Sequence, residues 1–463
     1  MFCLALVCLE LGEENCELGK EKGLVEIDME ELELLIAKKK SGQVFTHEDT
    51  ETLAKIIADD GSKNQTLVEF LETLNVKNFC VSEAVDLSFA IARSGKMLEV
   101  SKKIGDCVAK DNAGYVGDCV SLVVMSVLAS LGVKTLKVAN TKYSSFGGTI
   151  SKLKMFDGFD ADVGEKKFIQ IAEEIGCSIL ENNGQIAPAD RELLMIMKKF
   201  AVPSIPMLAV SFLSKKIALG ASIVIFDVKC GEGGLVKSTD DAYKLGKFLV
   251  EASKKAGLLP ACVVSAMSQP TSASIGGIHE IKEVIRSLTS GDAYFSSDMM
   301  SIAKEIVEVA LILSGKAKGR SDAGEMFDGA VLSGSALSKF KQIVLAFGGT
   351  FESVNTKVSV LEGIATSFIE ADEDGFLADI NAPALCKSYL TLAGDGDKDF
   401  DKNAGIVMLV REGTRVKQGD KIARVHYSFD NQNFPLALPE IRSSICVKAQ
   451  KPRREKLLVK VFV

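Results

Sequence analysis

From Lys110 to Ser121 the chain runs Lys-Asp-Asn-Ala-Gly-Tyr-Val-Gly-Asp-Cys-Val-Ser. Glycines let backbone N–H groups close on an oxyanion, while a lysine, a side-chain amide and a hydroxyl at a helix start complete a phosphate cradle. A second segment of this character, Ser144-Ser145-Phe146-Gly147-Gly148-Thr149, leads into a helix carrying Ser151, Lys152 and Leu153. Each turn alone fits an ordinary strand-to-helix connection as well as an anion site. Two such turns on neighbouring strands can face one phosphate.

The elements around these turns set where they stand. From Asp28 to about Val76, Leu32, Leu35, Leu53, Ile56, Ile57, Leu67, Phe70, Leu71 and Leu74 recur at helical spacing, broken by Ser41-Gly42 and Gly61-Ser62. A further helix is expected over Val81 to Gly95. Gly105 to Val138 reads as a loop, a helix over Ser121 to Ser130 and a strand at Leu136 to Val138. Residues 187 to 220 read as two helices separated by Pro203 and Pro206. Ala221 to Val228 (ASIVIFDV) is a β-branched apolar run of strand length, the mark of a strand buried on both faces of a parallel sheet. Leu258 to Met267 is the next strand, with helices over Ile278 to Leu288 and Met299 to Leu313. Strand, loop and helix in repeated order imply a doubly wound sheet, in which ligands sit at the carboxyl ends of the strands.

Val407 to Val425 alternates apolar residues between Gly413 and Gly419, as hairpin corners would. Lipoyl and biotinyl carriers share that rhythm, but the lysine-bearing hairpin tip they need is absent, so a structural role is expected. The expected architecture is α/β: a helical domain, a large doubly wound mixed or parallel sheet domain and a small C-terminal β-rich, barrel-sandwich-like domain. The expected boundaries are an extension at 1–29, a helical domain at 30–98 and 185–220, an α/β phosphate-binding domain at 99–184 and 221–380, and an α+β domain at 381–463.

A chain of 463 residues is enough for two or three domains of roughly 150 residues each. The formal charge is −7 and the basic runs at Lys38 to Lys40 and Lys451 to Lys456 are short, which argues against a nucleic-acid partner. Eleven cysteines without a Cys-x-x-Cys pair, beside three histidines, argue against a zinc site and a disulfide scaffold. They suit a reducing cytoplasm. The apolar start MFCLALVCLEL lacks a basic leading region and is too short to span a bilayer, so it reads as an extension or docking strand, or as the product of a mistaken start codon. No membrane partner is expected.

The segment Lys110 to Ser121 resembles the Lys-His-Ser-Thr-Gly-Gly-Val-Gly-Asp loop of the pyrimidine-nucleoside and thymidine phosphorylases, and Gly147 to Phe159 resembles their Gly-Gly-Thr-x-x-Lys-Leu…Gly-Phe segment. Further matches follow in order: Ala187-Pro188-Ala189-Asp190, Ser204-Ile205-Pro206, Ser211 with Ser214-Lys215-Lys216, Asp227-Val228-Lys229 with Gly231, Met267-Ser268-Gln269-Pro270, and Glu412-Gly413 to Gly419-Asp420. The resemblance implies phosphorolysis of a pyrimidine nucleoside to free base and pentose 1-phosphate, in a cleft between the helical and α/β domains. By position it implies that Lys110, Asn112, Ser121 and Thr149 hold inorganic phosphate and that Ser211 and Lys215 hold the base, with Lys110 and Lys215 serving catalysis. It also implies a potassium ion held by backbone oxygens of Gly117, Cys119, Thr271 and Ser274 with the Glu283 carboxylate, and a homodimer through the N-terminal helical domain.

Four departures stand beside these matches. Asp111 replaces the family's base-binding histidine and Met197 its base-anchoring arginine; Ala139 replaces a phosphate-contacting serine and Tyr115 the second loop glycine. Negative charge builds on the departing base as the glycosidic bond loosens, so losing both base-side donors raises the barrier. Asp111 would donate only with a raised pKa; as an acceptor it would suit a base bearing an amino group. The alternative is therefore a catalytically impaired paralogue that binds nucleoside or phosphate without turnover. A sugar-phosphate substrate, as in the related nucleotide phosphorylases and anthranilate phosphoribosyltransferases, is a third.

Overall fold

Capping and apolar spacing explain the first helices. In the computed structural model, which describes residues 29–59, 61–112, 117–139, 148–182, 184–200, 203–290, 297–355, 364–394, 400–453 and 456–463, α1 spans Met29–Lys40, α2 His47–Ala58, α3 Gln65–Thr73 and α4 Val81–Arg93. Thr46 accepts from the Asp49 N–H, and Asp49 accepts from the Thr46 N–H, closing a capping box at the start of α2. One turn on, Leu53, Ile56 and Ile57 are buried. The expected extension before Met29 lies outside the described residues.

The chain continues through α5 Val100–Ile104, β1 Val108–Asn112, α6 Val120–Ser130, β2 Thr135–Ala139, α7 Thr149–Leu153, α8 Gly164–Ile175 and β3 Cys177–Glu181. Then come α9 Pro188–Met197 and α10 Ile205–Leu219, followed by β4 Ile223–Cys230, α11 Thr239–Lys255, β5 Leu259–Ala266, β6 Ser274–Ile275, α12 Gly277–Ser290 and α13 Ser297–Leu313. Helices α14 Arg320–Leu332, α15 Ser335–Ala346 and α16 Glu352–Asn355 precede β7 Ile364–Glu370, β8 Gly375–Ile380 and α17 Ala382–Ala393. The C-terminal elements are β9 Gly405–Met408, β10 Arg415–Val416, β11 Lys421–Ser428, α18 Phe434–Ser443, β12 Ile445–Lys448 and β13 Leu458–Phe462.

Two compact units result, one of residues 1–98, 184–219 and 251–256 and one of the remainder. The first is helical. Pro206 is the second residue of α10 and starts it rather than separating two helices, because a helix's first turn has no use for the N–H that proline lacks.

The second unit is built on a six-stranded sheet ordered β13-β5-β4-β1-β2-β3. Strands β5, β4, β1, β2 and β3 are parallel, and β13 runs antiparallel on the edge of β5. All eight residues of β4 are buried. Val108 to Asn112 is a central strand, where the sequence suggested a loop: Lys110 and Asp111 break the apolar run, and buried partners described below make the burial of Lys110 possible. A large core formed by α6, α12, α13, α14 and α15 packs beneath Val108, Ile223, Ile225, Ala261 and Val263 of the sheet.

A second core holds Ile369, Leu377, Leu385, Ile406, Val425 and Ile441 between two small antiparallel sheets, β10-β8-β12 and β6-β9-β11-β7. These sheets take strands from before residue 381, and the chain's last strand, β13, returns to the large sheet instead of staying with them. Among the described residues no helix is long and apolar enough to cross a membrane.

Two of the three histidines tie α12 to this smaller core. His279 and His426 stack with ring centroids 4.6 Å apart and planes 18° from parallel. The His279 Nε2–H donates to the Asn403 carbonyl at 3.1 Å, and a Cβ on Gly405 would lie 2.2 Å from the ring, so only glycine fits there. Burial, with His426 second, pushes His279 from 6.5 down to about 3, against the bond to the Asn403 carbonyl and the charge of Asp401. Burial, with Arg424 and Lys282, pushes His426 to about 4. The unfolded imidazoles take up protons near pH 6.5 and the folded ones do not, so the unfolded chain binds more protons between about 6.5 and 4 and stability falls as pH drops through that window. Thermal melts from pH 7 to 4.5 should show a falling Tm. The fall should shrink in His426→Phe, which keeps a ring but cannot be protonated, and an undiminished fall would exclude the pair as its source.

Candidate active site

Charged residues on one face of a strand buried on both sides must find partners on its neighbours. Asp227 and Lys229, two apart on β4, point the same way, and β1 lies beside them in parallel with Lys110 opposite Ile225. The Lys110 ammonium is 2.9 Å from Asp227 Oδ2 and donates to Ser121 Oγ at 2.9 Å. Lys229 Nζ is 2.8 Å from Asp227 Oδ1 and donates to Ser265 Oγ of β5 at 3.1 Å. All three charged side chains are fully buried. One carboxylate thus serves two ammonium groups across β1, β4 and β5. Burial alone would lower Lys229, but Asp118 and Asp227 carry it above its usual value. An ammonium has three N–H bonds, and among the described residues Lys110 uses two.

The loop after β1 is held at its far end. Asp118 Oδ1 accepts from the Val120 N–H at 3.2 Å, at the first turn of α6, where Ser121 is the second residue. Gly117, at φ +81°, would place a Cβ 2.8 Å from Pro270, so the close approach there requires glycine. The Gly117 carbonyl accepts from Thr271 Oγ1 and the Ser272 N–H, both at 2.9 Å. Glu280, in the first turn of α12, accepts from the N–H groups of Gly117 at 3.2 Å and Gly276 at 2.9 Å, and from Cys119 Sγ at 3.2 Å. Lys152 Nζ lies 2.6 Å from Glu280 Oε2 and donates to the Asp118 carbonyl at 2.7 Å. Burial opposes the Lys152 charge, and Cys119, Glu280 and Asp118 hold it above its usual value. The Cys119 thiol is pushed far up by burial.

Glu283, one turn further along α12, accepts from the N–H groups of Ala273 at 2.9 Å and Ser274 at 2.7 Å. Burial still pushes it up to about 7 against those bonds. Gly117, Cys119, Thr271, Ser274 and Glu283, scattered over 167 residues of chain, therefore meet on two adjoining segments and one helix. Among the described residues, no cluster of three His, Cys, Asp or Glu side chains is placed to hold a metal ion.

Thr149 is the first residue of α7 and is buried, and Lys152 on the same helix makes the connection to the loop. Asp111 is buried on β1, and Ala139 is half-buried at the end of β2. Tyr115, Ser144 to Gly147 and the side chain of Asn112 lie outside the described residues.

In the helical unit, Ser211 and Lys215 are one turn apart on α10 and both buried. Lys215 Nζ lies 3.3 Å from Ser211 Oγ and 2.5 Å from Asp190 Oδ2 on α9. Asp190 Oδ1 is buried with no hydrogen-bond partner among the described residues. Met197 ends α9, half-buried.

Sequence reasoning gave no role to Asp227, Lys229, Lys152, Glu280 or Asp190. One signal for the first two was available: acidic and basic residues two apart inside an otherwise apolar strand need partners on one face. Nothing local points to Glu280, whose partner Gly117 is 163 residues away.

Residues 106–337 match the glycosyl transferase family, a/b domain. The chain is 30% identical over 396 residues to a pyrimidine-nucleoside phosphorylase of Geobacillus stearothermophilus, covering 85% of this chain and 91% of that protein. It is 28% identical to one from Staphylococcus haemolyticus, covering 90% and 96%, and 27% identical to one from Bacillus subtilis, covering 90% and 97%. The anthranilate phosphoribosyltransferase of Thermus thermophilus shares the fold at a TM-score of 0.54 and 15% identity, covering 68% of this chain and 99% of that one. With identity at this level running through most of both chains, and with buried lysine, serine and aspartate at the motif positions, the chain belongs to the pyrimidine-nucleoside phosphorylase family.

Proposed function

We propose that this pentosyltransferase-type enzyme splits a pyrimidine nucleoside with inorganic phosphate, giving free base and pentose 1-phosphate. The observation that carries the reading is the convergence of the Lys110 ammonium and the Ser121 hydroxyl at 2.9 Å, with Asp227 and Lys229 fixing the lysine from behind. Phosphate meets Lys110, Asn112, Ser121 and Thr149. One phosphate oxygen bonds to the sugar's anomeric carbon as the glycosidic bond breaks, and the bonding pair leaves on the base and spreads to its ring carbonyl. Ser211 and the Lys215 ammonium stabilise that charge, with Asp190 orienting Lys215.

A potassium ion fits the α/β unit in part. Glu283 is buried, has no ion-pair partner among the described residues and sits near 7, the state of a carboxylate that lacks a counter-charge. The carbonyls of Cys119 and Thr271 each accept one hydrogen bond and keep a lone pair, whereas the Gly117 carbonyl already accepts two and must release one. A bound cation there would supply charge neutralisation beside the loop. The buried free cysteines support a reducing, cytoplasmic setting. The exposed Leu34 on α1 and Val44 just after it support a homodimer through the helical unit.

A second reading, nucleoside or phosphate binding without turnover, is favoured by Met197 and Asp111, which remove cationic help from the base side, and by the engagement of Lys215 with Asp190.

Incubation with phosphate and a panel of nucleosides should release free base and pentose 1-phosphate faster than a Lys215→Ala control. Restoring a guanidinium with Met197→Arg should raise kcat/KM for thymidine or uridine by about tenfold to a hundredfold, since a charged hydrogen bond is worth roughly 1.5–3 kcal/mol. Phosphate that raises Tm with no base released from any nucleoside establishes the second reading. Potassium chloride should raise Tm above an equal concentration of choline chloride, and Glu283→Gln should abolish the difference; equal melting in both salts refutes the cation.

A further inference from the structure

The loop between Lys110 and Ser121 and the helix that begins at Thr149, both proposed to hold phosphate, are tied to one side chain that belongs to neither. Glu280 accepts from the Gly117 N–H at 3.2 Å and Cys119 Sγ at 3.2 Å, on the loop between Lys110 and Ser121. It also meets the Lys152 ammonium at 2.6 Å, on α7, three residues after Thr149. Lys152 in turn donates to the Asp118 carbonyl at 2.7 Å, so the loop and α7 are joined twice. The Gly276 N–H at 2.9 Å fixes the carboxylate to the start of α12. Both side chains are buried, which removes competition from water and makes the pair stiff.

We propose that Glu280, acting through Lys152, is a positioning residue: the pair sets the spacing between Ser121 and Thr149 and thereby the affinity for phosphate, leaving base recognition to the helical unit. The proposal rests on the phosphate site of the preceding section.

A misplaced donor weakens an anion cradle more than it weakens a remote contact. In Glu280→Gln the amide keeps the side chain's volume, but it loses the charge and cannot offer two acceptor oxygens to four donors. Direct titration with inorganic phosphate and steady-state kinetics should both be run on wild type and on variants that melt cooperatively. The expected result for Glu280→Gln and for Lys152→Met is a phosphate Kd and phosphate KM raised tenfold or more, with nucleoside KM changed less than threefold. The double variant should be no worse than the worse single one, because the two act as a unit. Where Glu280→Gln fails to fold, Lys152→Arg, which keeps the charge and changes only geometry, carries the same expectation at about threefold. A phosphate Kd within twofold of wild type in a folded variant, or equal losses for phosphate and nucleoside, overturns the proposal. Wild type that binds phosphate without turnover defeats the phosphorolysis reading but leaves this one to the Kd comparison, and wild type that binds no phosphate defeats both.

Discussion

The sharing of Asp227 between Lys110 and Lys229 is the interaction on which the α/β unit depends. Three charges at full burial in the middle of a parallel sheet are tolerable only when each is answered within hydrogen-bond distance, and removing one partner of a buried pair typically costs about 3–5 kcal/mol. That demand constrains the neighbours: β1, β4 and β5 must lie side by side, and Ser121 and Ser265 must close the ends of the chain of bonds. The same bonds remove the rotational freedom of a lysine side chain. A flexible four-carbon stem becomes a fixed donor at the carboxyl end of a strand, where doubly wound sheets place their ligands.

Much of this was legible in the sequence, and the limits have physical causes. Strand β4 announced itself because Ile223 to Phe226 is apolar and β-branched enough to exclude a surface strand. Strand β1 did not, because Lys110 and Asp111 in five residues look solvent-exposed until Asp227 is known to lie beside them, 117 residues away in sequence. The motif positions Lys110, Ser121, Ser211 and Lys215 could be named in advance. The carboxylates Glu280, which holds Gly117 and Lys152, and Asp190, which holds Lys215, could not be assigned roles, since a carboxylate in a helix's first turn reads as an ordinary favourable charge near the N-terminus until its acceptor geometry is seen. The C-terminal region shows a similar limit: its hairpin rhythm was visible, but β13, a short alternating segment, gives no sign of which sheet edge it will join.

The helical unit solves its charge problem more economically. Lys215 and Ser211 are one turn apart on α10, and Asp190 on α9 accepts the ammonium at 2.5 Å. The Asp190 carboxylate sits against Lys215 in a buried setting, and in the proposed reaction it offsets part of the field that the ammonium would direct at a departing base. With Met197 in place of a second cation, the residues proposed for the base keep one compensated charge where the family resemblance implies two groups working together.

Two of the four departures, Met197 and Ala139, fall outside the fully buried positions. Met197 is the last residue of its helix and half-buried, and Ala139 is half-buried at the end of β2. Neither position is part of the buried ion network, so an uncharged side chain there leaves no orphaned partner. Lys110, Asp227 and Lys229 have no such latitude, because changing any one strands a charge in the core. The fold therefore protects the groups proposed for phosphate through its own stability, whereas nothing in the packing protects the cationic character of the base side. In the proposed reading a side chain at the end of α9 can change without disturbing the sheet, whereas Lys110 cannot change without stranding Asp227 in the core.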